Sequence, residues 1–115
     1  MGTSDAPDLL PGTLDLLILR AIAHGPMHGW AIAQRIQQIS DDLLRVQQGS
    51  LYPALHRLEK QGWVKSEWTL SEAKQRVKFY RITAAGKKQL TAERDRWSQL
   101  VAAIGTIINP KRSKG

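Results

Sequence analysis

The stretch from Gln47 to Val64 constrains the fold more than any other part of the chain. Its helical period is carried by three leucines that recur on one face of a helix: Leu51, Leu55 and Leu58. Pro53 lacks a backbone N–H, so it is expected in the first helical turn, with Ser50 as the starting residue. Gly62 is a natural stop because a helix end often needs a positive φ. The stretch is therefore predicted to be a short helix with a buried leucine face.

The opposite face of this predicted helix is polar and basic. It carries Ser50, Tyr52, His56, Arg57 and Lys60. Phosphate contacts need cations and hydroxyls, and base edges are read by side chains at the front of a recognition helix. Tyr52, His56 and Arg57 are therefore candidates for base contact. A solvated surface helix is the alternative that these residues alone leave open.

Composition and charge favour a soluble protein with an anionic partner. The chain has 115 residues, a net charge of +7 and no cysteine, which excludes disulfides and thiolate zinc sites. Nucleic acid is the first candidate partner and an acidic membrane surface the second, while a charge that only aids solubility competes with both. Acidic residues occupy the place of a signal peptide's basic start, and the apolar run from Leu14 to Ala23 is too short for a bilayer. We therefore expect a cytoplasmic protein.

The elements on either side of residues 47–64 are predicted from changes in the spacing of apolar residues. A first helix is expected from Gly12 with Thr13 as its cap, and a second from about His28 to Ser40. A connection over residues 41–49 follows, in which three apolar side chains are expected to pack inward: Leu43, Leu44 and Val46. After Gly62 the pattern alternates over 63–69 and 76–83, which predicts two strands joined by a loop. A final helix is expected over 84–108.

This order predicts a fold that is mainly α with a small β-hairpin: a winged helix-turn-helix over residues 12–83 and a long C-terminal helix over 84–108. A flexible N-terminal arm (1–11) and a disordered basic tail (109–115) are expected to flank it. The last helix carries a heptad-like apolar seam: Leu90, Trp97, Val101, Ile104 and Ile108. A long one-sided seam favours dimerisation through a second copy over a helix that folds back across its own domain.

Four segments together resemble the PadR family of transcriptional regulators. They read LLPGTLDLLIL, GPMHGWAIAQRI, GSLYPALHRLEKQGWV and FYRITAAGKKQL. The resemblance covers roughly residues 9 to 104 and matches the compact branch with one C-terminal helix. It implies a dimeric winged-helix repressor that is often responsive to a small effector.

Carried over residue by residue, the resemblance implies a DNA-contacting helix that uses Gly49, Ser50, Tyr52, Pro53, His56 and Arg57. His28 and Trp30 match a segment that commonly touches the phosphate backbone, with Trp30 where the family usually has Tyr. The wing departs from the family's Asn-rich tip but keeps three cations: Lys74, Arg76 and Lys78. In compact relatives a Trp on the last helix can line a flat cavity between subunits for planar aromatic ligands. Trp97 matches that residue, and an interface packing role is the plainer alternative.

Chemistry beyond binding has little support in the sequence. The three histidines show no metal-ligand spacing, and no nucleophile, phosphate loop or carboxylate pair has a suitable context, so we expect no metal, no cofactor and no enzyme activity. The resulting hypothesis is a repressor that binds double-stranded DNA at a palindromic operator as a homodimer, released by a small planar effector. The alternative is a winged-helix protein–protein interaction module without sequence-specific DNA binding.

Overall fold

The computed structural model describes residues 12–109. The chain forms helices α1 (Thr13–Ala21), α2 (Gly29–Ile39), α3 (Gln48–Lys60) and α4 (Ala84–Ile108), and strands β1 (Met27–His28), β2 (Val64–Leu70) and β3 (Arg76–Ile82). The predicted class, mainly α with a small hairpin in a winged helix-turn-helix, is confirmed. The predicted arm over 1–11 and the predicted tail beyond Asn109 lie outside the described residues.

The sheet has three antiparallel strands in the order β1-β3-β2. The hairpin register pairs Val64 with Ile82 and Leu70 with Arg76. The prediction of a two-stranded sheet was incomplete, because Met27 pairs with Tyr80 and forms a third strand with His28. Two residues are too few to show an alternating pattern, and the sequence prediction placed His28 at the start of the second helix.

The core lies where α1, α2 and α3 meet the base of the sheet. Leu51, Leu55 and Leu58 are fully buried in it, as their spacing predicts. In the connection before α3, Leu44 and Val46 pack against this core, but Leu43 is exposed and its predicted inward packing was wrong. The preceding Asp41 and Asp42 both have positive φ and turn the chain sharply there, which directs Leu43 outward.

Two predicted helix starts differ from the structure. Gly12, with φ of 89°, is the N-cap of α1, and Thr13 is its first helical residue rather than its cap. The helix α3 begins at Gln48 instead of near Ser50, and the Ser50 N–H already bonds to the Gln47 carbonyl at 3.0 Å. Pro53 consequently lies inside α3, where it is exposed to solvent.

The start of α4 is fixed to the end of α3 by Thr83. Its Oγ1 accepts a hydrogen bond from the Gly86 N–H at 3.0 Å and donates one to the Gly62 carbonyl at 2.7 Å. A Cβ on Gly86 would overlap the backbone carbonyl of Trp63, so only glycine fits there. Gly62 has φ of 79°, as expected for a helix stop. This junction sets the direction in which the long helix leaves the domain.

Candidate nucleic-acid interface

The exposed face of α3 is the centre of the candidate interface. A helix turns by about 100° per residue, so the line opposite the buried leucines carries four residues: Gly49, Pro53, His56 and Lys60. All four are exposed. Tyr52 lies on the flank towards the sheet, whereas Ser50 and Arg57 lie on the flank towards α1. The predicted contact residues therefore divide into a central stripe and two edges.

Tyr52 has a packing role in addition to its exposed hydroxyl edge. Its ring lies so close to Gly29 that a Cβ there would be 2.6 Å from the tyrosine Oη. Gly29 is the first residue of α2, so this contact fixes the start of α2 against α3. Tyr52 is thus more than part of a solvated helix face, because its ring packs on Gly29.

His28 and Trp30 lie side by side at the start of α2. The His28 ring packs on Phe79 of β3, with centroids 4.3 Å apart, and is parallel to the Trp30 ring at 6.2 Å. Within residues 12–109 the buried Nδ1 of His28 has no hydrogen-bond partner. Trp30 is exposed at the positive end of the α2 dipole, where its indole N–H can donate to a phosphate.

Arg57 forms an ion pair that the sequence did not indicate. Its Nη2 donates to Oδ1 of Asp15 on α1 at 2.7 Å. The side chains are 56% and 24% exposed, so the contact is at the surface. Arg57 is therefore held at the edge of α3, away from the central stripe.

The other flank of α3 is bonded to the wing. The Ser66 hydroxyl of β2 donates a hydrogen bond to the Glu59 carboxylate. Tyr80, the cross-strand partner of Ser66, is buried beneath them. Its pKa is raised above the ordinary value of 10.0, mainly by burial and then by the neighbouring acidic groups of Glu59 and Tyr52. The hydroxyl of Tyr80 is thus uncharged at neutral pH.

The wing carries its cations at the tip and along one face. Lys74 has φ of 64° in the tip turn, and its N–H bonds to the Ser71 carbonyl at 2.8 Å. The Arg76 guanidinium lies 4.7 Å from the ring centroid of Trp68, and the Lys78 ammonium lies 5.6 Å from it. Sequence reasoning did not select Trp68 for this surface, although Trp68 lies within the alternating segment over 63–69.

The exposed apolar stripe of α4 is separate from this surface. It consists of Trp97, Leu100, Val101, Ile104, Ile107 and Ile108. Leu90 was predicted to belong to the seam, but it is 7% exposed and packs in the core of its own protomer, so it has no surface to offer a second copy. Beside Trp97, an open cavity of about 270 Å³ lies between α4 and the start of α1, lined by Gly12, Thr13, Leu16, Glu93, Arg96, Trp97 and Leu100.

Two further functions receive no support from the described part of the chain. Over residues 12–109, no group of three metal-ligating side chains comes together. Among the described helices, none combines the length and the apolar composition that a bilayer-spanning segment needs.

Comparisons with known proteins agree on one family. A family model described as the transcriptional regulator PadR-like family matches residues 18–92. A transcriptional regulator of Mycobacterium tuberculosis is 37% identical over 89 residues, which cover 77% of this chain and 79% of that protein. The structure of a transcriptional regulator from Clostridium thermocellum superimposes with a TM-score of 0.78 at 31% identity, covering 85% of this chain and 92% of that one. Bacillus subtilis PadR in complex with operator DNA shares the fold, with a TM-score of 0.64 at 23% identity over 70% of this chain and 46% of that one.

Proposed function

The chain belongs to the PadR-like family of transcriptional regulators, which are not enzymes, and on that premise we propose that it is a cytoplasmic repressor that binds a palindromic operator as a homodimer. The observation that supports the proposal is that the exposed face of α3 and the wing form one continuous surface. The central stripe of α3, with His56 and Lys60, adjoins a wing that is bonded to the same helix through Glu59 and Ser66. A basic helix and a fixed basic hairpin on one side of a small domain suit a duplex and its phosphates.

The geometry supports different roles for the contact residues in this proposal. Gly49, Pro53 and His56 enter the major groove, and His56 is the foremost candidate to read a base edge. Ser50, Tyr52 and Arg57 lie at the edges of the helix and face the two phosphate strands. The remaining contacts are to the backbone outside the helix: His28, Trp30, Lys74, Arg76 and Lys78. Bacillus subtilis PadR, whose structure is in complex with operator DNA, shares this fold, which supports DNA as the partner.

The homodimer is proposed from the exposed stripe of α4. Trp97, Val101, Ile104 and Ile108 lie within one narrow sector of a helix that leaves the domain, where a second α4 would cover them. Two recognition helices joined in this way meet half-sites about one DNA turn (~34 Å) apart. Sedimentation that finds a folded monomer at micromolar concentration would remove the dimer from the proposal.

An effector site is proposed at the cavity beside Trp97. An exposed indole, the side chain of Leu100 and the ion pair of Arg96 with Glu93 line an opening that a second copy of α4 would enclose. A flat aromatic molecule can stack on the indole there. Binding at this cavity would release the protein from its operator by changing the spacing of the two recognition helices.

The DNA-binding proposal is tested by fluorescence polarisation with a duplex that the protein itself selects from a random library, against a scrambled duplex. Affinity should fall with salt at a log–log slope of about −0.9 for each phosphate contacted, or roughly 10³–10⁵-fold between 50 and 200 mM for about 6–10 contacts. Lys60→Ala should weaken binding, whereas Lys88→Ala, the same charge change at an exposed position of α4, should not. Equal affinity for both duplexes, or indifference to salt, would favour the protein–protein interaction module instead.

A further inference from the structure

The wing exposes two large apolar side chains on one face. Trp68 is 57% exposed and Leu70 is 64% exposed. They alternate along β2 and therefore point to the same side of the hairpin. The register places Lys78 directly opposite Trp68 and Arg76 directly opposite Leu70. The outer half of this face is thus an apolar surface of two side chains bordered by two cations, with no acidic side chain among the four.

Both cations lie within reach of the Trp68 indole. Arg76 lies over the Trp68 ring at 4.7 Å from its centroid. The Lys78 ammonium lies between two rings, 5.6 Å from the centroid of Trp68 and 5.7 Å from that of Tyr80. A guanidinium over an aromatic ring still has N–H donors available for a phosphate. The wing therefore presents an aromatic ring with two cations beside it.

This face is on the same side of the domain as the recognition helix. At its base the same set of alternating residues includes Ser66, which bonds to Glu59 of α3, and Tyr80, which is buried in the core. The opposite face carries Glu67 and Phe79, and Phe79 packs on His28. A duplex seated on the central stripe of α3 would therefore meet the Trp68 face of the wing and not the other one.

We propose that Trp68 is a DNA-contacting residue, whose indole lies against the sugar–phosphate backbone flanking the half-site while Arg76 and Lys78 pair with the phosphates on either side. The carbon-bound hydrogens of deoxyribose offer the apolar surface that the ring covers, and the two cations match the adjoining charges. Leu70 extends the same apolar surface towards the tip. The inference rests on the proposed DNA-binding function and assigns a ligand to the wing face. A cross-strand contact that only stabilises the hairpin is the competing explanation.

The test compares Trp68→Ala and Trp68→Phe with Thr69→Ala, the next residue on the opposite face of the same strand. Affinity for the selected duplex is measured across a range of salt concentrations, with thermal unfolding recorded for each variant. Trp68→Ala should bind on the order of tenfold more weakly and Trp68→Phe should keep most of the affinity, by analogy with aromatic contacts to nucleic acid. Thr69→Ala should bind as the unmodified protein does. Because indole carries no charge, the salt slope of Trp68→Ala should stay unchanged, whereas Arg76→Ala should reduce it by about 0.9.

A second readout does not depend on the alanine variant being stable. DNA should protect part of the tryptophan emission from acrylamide quenching, and the protected part should be smaller in Trp68→Phe, which keeps only Trp30 on the proposed DNA surface. Unchanged affinity of a folded Trp68→Ala, or a loss that appears only as a lower salt slope, would overturn direct contact by the indole. If Lys60→Ala weakens binding while the Trp68 variants do not, only this inference fails. If the unmodified protein does not distinguish the selected duplex from the scrambled one, the proposed function itself fails.

Discussion

Nη2 of Arg57 lies 2.7 Å from Oδ1 of Asp15, so the edge of the recognition helix is joined by an ion pair to a residue 42 positions earlier in the chain. Arg57 belongs to the surface proposed to meet DNA, and Asp15 competes with phosphate for the same guanidinium. The pair is partly exposed, so its contribution to stability is small, about 0.2–1 kcal/mol.

Asp15→Asn should therefore raise operator affinity by up to about fivefold, since releasing a surface ion pair of this strength leaves Arg57 available to a phosphate. The measurement is a polarisation titration at low salt. Asp95→Asn is the matched control, because it removes the same charge from an exposed position of α4. A lower affinity for Asp15→Asn would mean that Asp15 positions Arg57 for its contact instead of competing for it.

The contact between Gly29 and Tyr52 gives a prediction about the packing of α2 on α3. Gly29→Ala places a Cβ 2.6 Å from the Tyr52 Oη, so the ring must move or the helices must separate. We expect a loss of about 1–3 kcal/mol in the free energy of unfolding, measured with urea, and weaker DNA binding. In a Tyr52→Ala background the same substitution should cost much less. Equal costs in both backgrounds would show that the ring is not what excludes a side chain at Gly29.

Periodicity was sufficient for the elements that bury a regular face. The spacing of the α3 leucines located that helix, because all of these leucines are buried. The alternating pattern located the hairpin, because its two strands pair along their whole length. The first residues of the helices were harder to predict from the sequence. Ser50 and Pro53 are both typical of a first turn, yet α3 starts at Gln48, and the Leu51 N–H already bonds to the Gln47 carbonyl at 2.9 Å.

The candidate site depends on contacts between residues that are distant in the chain, and the sequence predicts these contacts only in part. The residue types on the outer face of α3 could be selected from sequence, but their division into a stripe and two flanks needed the position of α1 and the sheet. The ion pair of Arg57 with Asp15 joins two helices that local spacing does not relate. Leu90 fits the heptad of the seam, and only the tertiary structure reveals that the base of α4 packs on its own domain. Trp68 was detectable from the alternation, but its two cation contacts were not.

Gly86 gives the largest predicted effect on stability. Its missing side chain lets the Trp63 carbonyl approach α4, and a Cβ would overlap that backbone oxygen. Gly86→Ala should therefore cost about 3 kcal/mol or more in the free energy of unfolding, because neither backbone segment can move without breaking the Thr83 bonds. Gly105→Ala is the control in the same helix. No described heavy atom lies within 4 Å of a Cβ there, so the higher helix propensity of alanine should stabilise that variant by about 1 kcal/mol. Similar effects from both substitutions would contradict the steric argument.

Tyr80 gives a prediction about alkaline pH. Its folded-state pKa is raised above 10.0 by burial and by Glu59 and Tyr52, so the native state holds the phenolic proton more tightly than the unfolded chain. The resulting stability is fully present below the unfolded pKa of about 10 and is lost progressively as the pH rises from that value through the raised folded-state pKa. Urea unfolding at increasing pH should show a decline above about pH 10 that is smaller in Tyr80→Phe. Parallel declines in the two proteins would assign the effect to other titrating groups.

The α4 stripe gives a prediction about assembly. Val101→Glu places a charge in the middle of the exposed apolar sector that a second copy would bury, so the variant should sediment as a monomer while its helix content stays unchanged. Ala102→Glu adds the same charge to the opposite side of the helix and should leave the dimer intact. Operator affinity should fall on the order of 10²-fold or more for Val101→Glu, because the second half-site is no longer held at a high effective concentration. A monomer that keeps full affinity for the operator would separate DNA recognition from dimerisation.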